Sequence, residues 1–247
     1  MKAIITGMNG AVAPYVYEAL QKQGLELVIW DRTRIPTDDE AAIRQFIAET
    51  KPDLFFQIAT GPVEWLSHIV KVTEELGIKL IFTSTVSVFS EQGTGPYTIE
   101  SQPDAEEDYG RYKRECEQII LNHHSNAVIL RLGWQIGSKP GANHMFDFLV
   151  RSHEEKGFIE ASSKWYPSTS FLEDTAKVVG QDALQYEPGI YLVNANPSFS
   201  FYEIVVRLKD LHEMDWQVKE ITSFVRDDRM FDDRVQIPAL FTRSSVS

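Results

Sequence analysis

The 247 residues are enough to bury one sizeable core, and the 43% apolar fraction is ordinary for a globular chain. A formal net charge of −12, from 24 basic and 36 acidic residues, argues against nucleic acid or an anionic membrane as partner. One cysteine excludes an internal disulfide, no run approaches the roughly 18 apolar residues of a membrane span, and no Cys/His spacing points to a metal site. The apolar start over residues 1–6 is too brief for a signal segment, so a cytoplasmic location is expected.

Residues 2–6 read as a short buried strand, followed by Gly7-Met8-Asn9-Gly10-Ala11-Val12 and an apolar periodic run to about Lys22. Strand, glycine turn and helix together form the context in which backbone approaches a dinucleotide pyrophosphate. Gly7 permits the bend, Gly10 the close approach, and Ala13 the packing of helix on strand, while the first N–H groups of the helix meet the phosphates. Pro14 is tolerated only in a first turn, which puts the helix start close to Ala11. Leu25–Trp30 reads as the second strand and ends at Asp31. A carboxylate there can hold the adenosine ribose of NAD, whereas Arg32 and Arg34 can meet the 2′-phosphate of NADP. Two guanidiniums against one carboxylate tilt the expectation slightly towards NADP.

Asp38–Thr50 and Pro62–Leu76 have helical spacing, and Asp53–Ile58 and Lys79–Thr83 read as buried strands. Ala59 and Thr60 are small residues where a cofactor can lie against backbone, and the fourth strand carries Ser84–Phe89 to the sheet edge where ligands bind. Repeated strand–helix units with short loops predict an α/β fold, a Rossmann-type doubly wound parallel sheet. Pro103–Asn122 reads as one helix, with Asp104 as cap and Glu107 completing a capping box. Its inward face is expected to carry Tyr109, Tyr112, Cys116, Ile119 and Ile120. Tyr109 and Lys113 lie one turn apart, where a cation lowers the pKa of a phenol and suits it to acid–base work. His123-His124 fall at the helix end, facing carbonyls and water. Ala127–Leu132 is a further strand.

Past Gly137 the pattern changes. Residues 1–137 read as an NAD(P)-binding Rossmann domain with contributions from later segments, and 138–247 as a small C-terminal substrate lobe. That half carries a helix over Phe146–Glu155, a loop at Trp165–Thr169, a helix near Glu173–Gln185, a strand at Gly189–Val193 and a helix over Ser200–His212. Asp227-Asp228-Arg229 and Asp232-Asp233-Arg234 read as a solvated charged tail. Arg131, Lys139, Arg151 and Lys164 are scattered rather than gathered for a diphosphate.

In order, "TGMNGAVA", "STVSVF", "GPYTIE", "YGRYK", "LRLGWQIG" and "YPSTSFLEDTA" resemble the extended short-chain dehydrogenase/reductase family, and within it the dTDP-4-dehydrorhamnose reductase branch. The resemblance implies hydride transfer between NADP or NAD and a small-molecule carbonyl, that of a keto-sugar nucleotide or a related compound. Tyr109 would give the proton, Lys113 would hold the nicotinamide ribose, and Thr85 would hydrogen-bond the carbonyl oxygen. Trp134, Asn143 and Trp165 would line the substrate cleft. The Asp-Glu pair of the dehydratases is replaced by Val86 and Ser87, which argues against dehydration. The stretch between Gln57 and Ser84 is short and lacks the family's asparagine element. In the family that asparagine helps anchor the lysine and a proton-relay water, and the missing stretch contributes to helix-mediated dimers in relatives, so oligomeric state does not carry over. The alternatives are a non-catalytic protein that senses NAD(P) or docks a partner enzyme, and a sugar-nucleotide epimerase.

Overall fold

The computed structural model describes residues 1–138 and 142–242; Lys139 lies outside them. The first half alternates regularly: β1 (Lys2–Ile5), α1 (Val12–Lys22), β2 (Glu26–Ile29), α2 (Glu40–Thr50), β3 (Leu54–Gln57), α3 (Val63–Glu75) and β4 (Lys79–Thr85). After a 3-10 turn over Val86–Val88 come α4 (Asp108–His123) and β5 (Ala127–Leu132). The second half supplies β6 (Trp134–Ile136), α5 (Met145–Lys156), β7 (Ile159–Ser162), β8 (Trp165–Tyr166), β9 (Thr169–Phe171), α6 (Leu172–Gly180) and β10 (Gly189–Val193). It closes with α7 (Phe201–Leu211), β11 (Val218–Ile221) and β12 (Arg226–Asp227).

Six strands form one parallel sheet in the order β10-β5-β4-β3-β1-β2. Alternate strand residues feed opposite faces, as the pleat requires. Ala3 and Ile5 meet Val16 and Leu20 of α1 and Val179 of α6, while Ile4 and Phe55 meet Ile47 of α2, Ile69 of α3 and Ile120 of α4. The chain therefore returns to the first half after residue 171: β10 extends the sheet, and Gln23 Nε2 donates to Gly180 O at 2.9 Å between α1 and α6. The order reverses between β1 and β3, and such a switch point leaves a crevice beyond the strands' C-terminal ends.

Several local readings need correction. α4 begins at Asp108 rather than near Pro103, because the Asp104 carboxylate accepts from Ser90 N (2.8 Å) and Oγ (3.2 Å) instead of capping a helix, and Glu107 reaches Glu91 N (3.2 Å). The inward face of α4 is Gly110, Lys113, Cys116, Glu117 and Ile120; Tyr109 is half exposed. His124 is buried, its Nε2 3.1 Å from Thr73 Oγ1, instead of facing water. The stretch read as a loop at Trp165–Thr169 contributes to β8 and β9. The tail is not a solvated segment. Arg229 grips Asp227 and donates to Pro197 O, Arg234 grips Asp232 and donates to Ile190 O, and Asp228 is buried against Ser168 N (3.0 Å). Burial raises the Asp228 pKa to about 6.

Candidate active site

The glycine turn does at the switch point what the residue types demand. Gly7 has φ +91°, and a Cβ there would come within 3.0 Å of Ala59 N, so only glycine lets β1 turn this close to the end of β3. Thr6 Oγ1 accepts from the backbone N–H groups of Ile58 and Ala59, both at 3.0 Å, and ties the two strand ends together. α1 starts after Ala11 without a side-chain cap, which leaves its first N–H groups free for an anion.

Above this turn lies a crevice of about 950 Å³, near the upper end of the range for small-molecule sites. Its wall includes Gly7, Met8, Asn9, Gly10, Ala11 and Val12 from the turn, Asp31 and Arg32 after β2, and Ala59 and Thr60 after β3. Thr85, Tyr109 and Asn143 complete the far wall, together with Ser84, Leu132 and Gln135, which sequence reasoning did not assign. Lys113, Trp134 and Trp165 are not among the lining residues. The two tryptophans stack on each other at 6.0 Å and pack on Phe201 against the apolar core of the second half, and Trp165 Nε1 donates to Asp228 at 3.3 Å.

At the β2 end, the Asp31 carboxylate accepts from Thr33 N (2.9 Å) and Oγ1 (2.7 Å), which holds its pKa below the usual range. Arg32 is not a loose loop charge. Its guanidinium lies 4.7 Å over the Trp65 ring and donates to Thr60 O, so it is held in the crevice wall.

At the other end, Tyr109 stands in the first turn of α4. Gly110 beside it allows the approach, since a Cβ there would lie 2.1 Å from Ser87 O. The Tyr109 pKa is raised, chiefly by burial, with a hydrogen bond from Thr85 opposing the rise. The lowering expected from Lys113 does not occur, because that ammonium points into the sheet instead. Lys113 is 2% exposed, and Nζ donates to Thr83 O at 2.7 Å and sits 4.6 Å over the Phe82 ring. Burial pushes its pKa down to about 8, opposed by Cys116 and Glu117. The Thr83 carbonyl thus anchors the lysine in a chain without the asparagine element.

Arg131, one of the scattered cations, is not available to a diphosphate: its Nε (3.0 Å) and Nη2 (2.7 Å) bind the Glu117 carboxylate, with both residues 2% exposed. Arg151 pairs with Asp147 at 2.9 Å on α5, and Lys164 is exposed. Among the described residues, no group of three or more His, Cys, Asp or Glu is placed to hold a metal, and no helix is long and apolar enough to cross a membrane.

Residues 63–217, more than half of the chain, match the model of the family described as RmlD substrate binding domain. The chain is 21% identical over 238 residues to the spore coat polysaccharide biosynthesis protein SpsK of Bacillus subtilis, covering 90% of this chain and 83% of that one. It is 23% identical over 244 residues to methionine adenosyltransferase 2 subunit beta of Xenopus laevis, covering 85% and 71%. In fold it resembles the dTDP-4-dehydrorhamnose reductase of Bacillus anthracis solved in complex with NADP, with a TM-score of 0.82 at 18% identity over 96% of this chain and 94% of that one.

Proposed function

The chain belongs to the RmlD substrate binding domain family, and from that premise we propose that it is an NAD(P)-dependent reductase of the extended short-chain dehydrogenase/reductase type, acting on the carbonyl of a keto-sugar nucleotide. The observation that carries this reading is the shared crevice: Thr85 and the Tyr109 phenol whose pKa it influences line the same crevice as the uncapped glycine turn. The turn, residues 7–12, would hold the pyrophosphate on backbone N–H groups, and Arg32 would meet a 2′-phosphate at the adenosine end. Bound there, the nicotinamide supplies the hydride.

The chain's own residues supply the proton and the geometry. The raised pKa makes the Tyr109 phenol a weaker acid than an ordinary phenol, but it is protonated at neutral pH, and a developing alkoxide, far more basic than a phenolate, can still take its proton. Thr85 offers a second donor to the same oxygen and fixes its position. Lys113 acts from behind the wall, holding the end of β4 through the Thr83 carbonyl. The residues of the second half that lie outside the six-stranded sheet would form the substrate lobe, with Asn143 in the crevice wall as its contact.

The test is Tyr109→Phe assayed with NADPH and dTDP-4-dehydrorhamnose. Cofactor affinity is expected to stay within about twofold while carbonyl-dependent NADPH oxidation falls by about 10²–10⁴-fold, the usual worth of a general acid. A variant that oxidises NADPH as fast as the parent removes Tyr109 from the mechanism. Similarity to a methionine adenosyltransferase beta subunit favours a second reading, a protein that binds NAD(P) and docks on an enzyme. That reading predicts cofactor binding without turnover on any carbonyl.

A further inference from the structure

Helix α4 turns two charged side chains into the core one turn apart, and both grip the same strand. Lys113 donates to Thr83 O at 2.7 Å, and Glu117 receives Ser84 Oγ at 2.5 Å on the next residue of β4. Arg131, the register partner of Ser84 on β5, closes the Glu117 carboxylate through Nε and Nη2 and lies 5.2 Å over the Phe89 ring. The strand residue after Ser84 is Thr85, which meets the Tyr109 phenol.

If holding the helix were the only requirement, apolar residues of the same volume would do it as well, because desolvation offsets most of what a buried ion pair gains. Directional hydrogen bonds add what packing cannot: they fix the rotation and height of α4 on β4. They also put a carboxylate one turn from the lysine, where it opposes loss of the ammonium proton. The titratable groups that influence the Lys113 ammonium are Cys116 and Glu117 from its own helix. Tyr112 is beside it at 5.8 Å, β4 presents the uncharged Thr83 and Phe82, and β5 presents Arg131, already bound to Glu117.

We propose that Glu117 is a positioning residue for the reaction: bridged to Ser84 and Arg131, it seats α4 on β4 so that Tyr109 meets Thr85, with its carboxylate one helical turn from the Lys113 that binds the same strand. The kinetic part of this inference rests on the reductase reading; the titration part does not.

The experiment compares the parent with Glu117→Gln and with the double variant Glu117→Leu/Arg131→Met. Three quantities are read: unfolding midpoint in urea, the Lys113 titration followed by NMR of labelled lysine in cofactor-free protein, and kcat and KM with NADPH and dTDP-4-dehydrorhamnose. In Glu117→Gln the Lys113 titration is expected to move down by about half a unit or more, as removal of a nearby carboxylate requires. The double variant should recover most of the lost stability, yet keep the lowered titration and a kcat reduced about tenfold, with KM for NADPH nearly unchanged. A double variant with the parent's titration and kcat shows that Glu117 is a structural brace only, and overturns the proposal. If the double variant does not fold, Glu117→Gln decides alone, since an unshifted Lys113 overturns it equally. A shifted titration in a protein that turns over no carbonyl would instead defeat the reductase reading and leave the lysine assignment standing.

Discussion

Lys113 is buried behind the site, and its removal has a calculable signature. Its pKa falls from 10.5 in the unfolded chain to about 8 in the folded protein because burial disfavours the ammonium. At about 1.36 kcal/mol per unit, the difference corresponds to roughly 3 kcal/mol. The sign follows from proton counting. Between pH 8 and 10.5 the unfolded chain holds a proton on this residue that the folded chain has lost, so stability rises with pH across that window. Above 10.5 the gain is complete, and as pH falls through 8 it is gone. Lys113→Met has no such titration. Urea unfolding of the parent and Lys113→Met at intervals from pH 7 to 10.5 should therefore show the parent gaining about 3 kcal/mol relative to the variant, most of it above pH 8. A stability difference that stays constant over this range would mean that the lysine is solvated, and would refute the buried placement from which its anchoring role follows.

Arg32→Ala should weaken NADPH by about tenfold more than NADH, the worth of one phosphate contact near 1.4 kcal/mol, measured by fluorescence titration; equal losses would leave Arg32 without a part in cofactor choice. Gly110→Ala would press a methyl group to 2.1 Å from the Ser87 carbonyl, so a loss of about 2–3 kcal/mol in chemical denaturation is expected, and an unchanged midpoint would contradict the packing of α4 on the 3-10 turn. Gly7→Ala adds a Cβ 3.0 Å from Ala59 N at φ +91°; nucleotide binding in calorimetry should fall by at least about tenfold, and parent-like affinity would separate the turn from the cofactor.

The glycine turn was legible because its demands are local. A positive φ and a close backbone approach select glycine at position 7, and a proline at position 14 fixes where α1 begins. The start of α4 was not legible, since Asp104 finds its partner in Ser90, 14 residues away, and helix spacing cannot register a contact across a loop. The inward face was misread for a related reason. Apolar periodicity turned Tyr109 inward along with Tyr112, Cys116, Ile119 and Ile120, which do pack on the core, and gave no sign of Lys113 and Glu117, which are buried because Thr83, Ser84 and Arg131 on neighbouring strands satisfy them. Gly110 was the available clue, as a glycine inside a helix often marks another backbone pressed against it. The charged tail failed similarly: Arg229 and Arg234 each pair with an aspartate two residues earlier and also reach a backbone carbonyl far along the chain.

Transfer of the label from NADPH deuterated at the hydride position to dTDP-4-dehydrorhamnose tests the central claim most directly. Mass spectrometry of the sugar product from the parent protein should find one deuterium on the reduced carbon, and Tyr109→Phe should slow its appearance by orders of magnitude. Product without deuterium, or NADPH that binds and is returned unchanged beside every keto sugar offered, would contradict the reductase account.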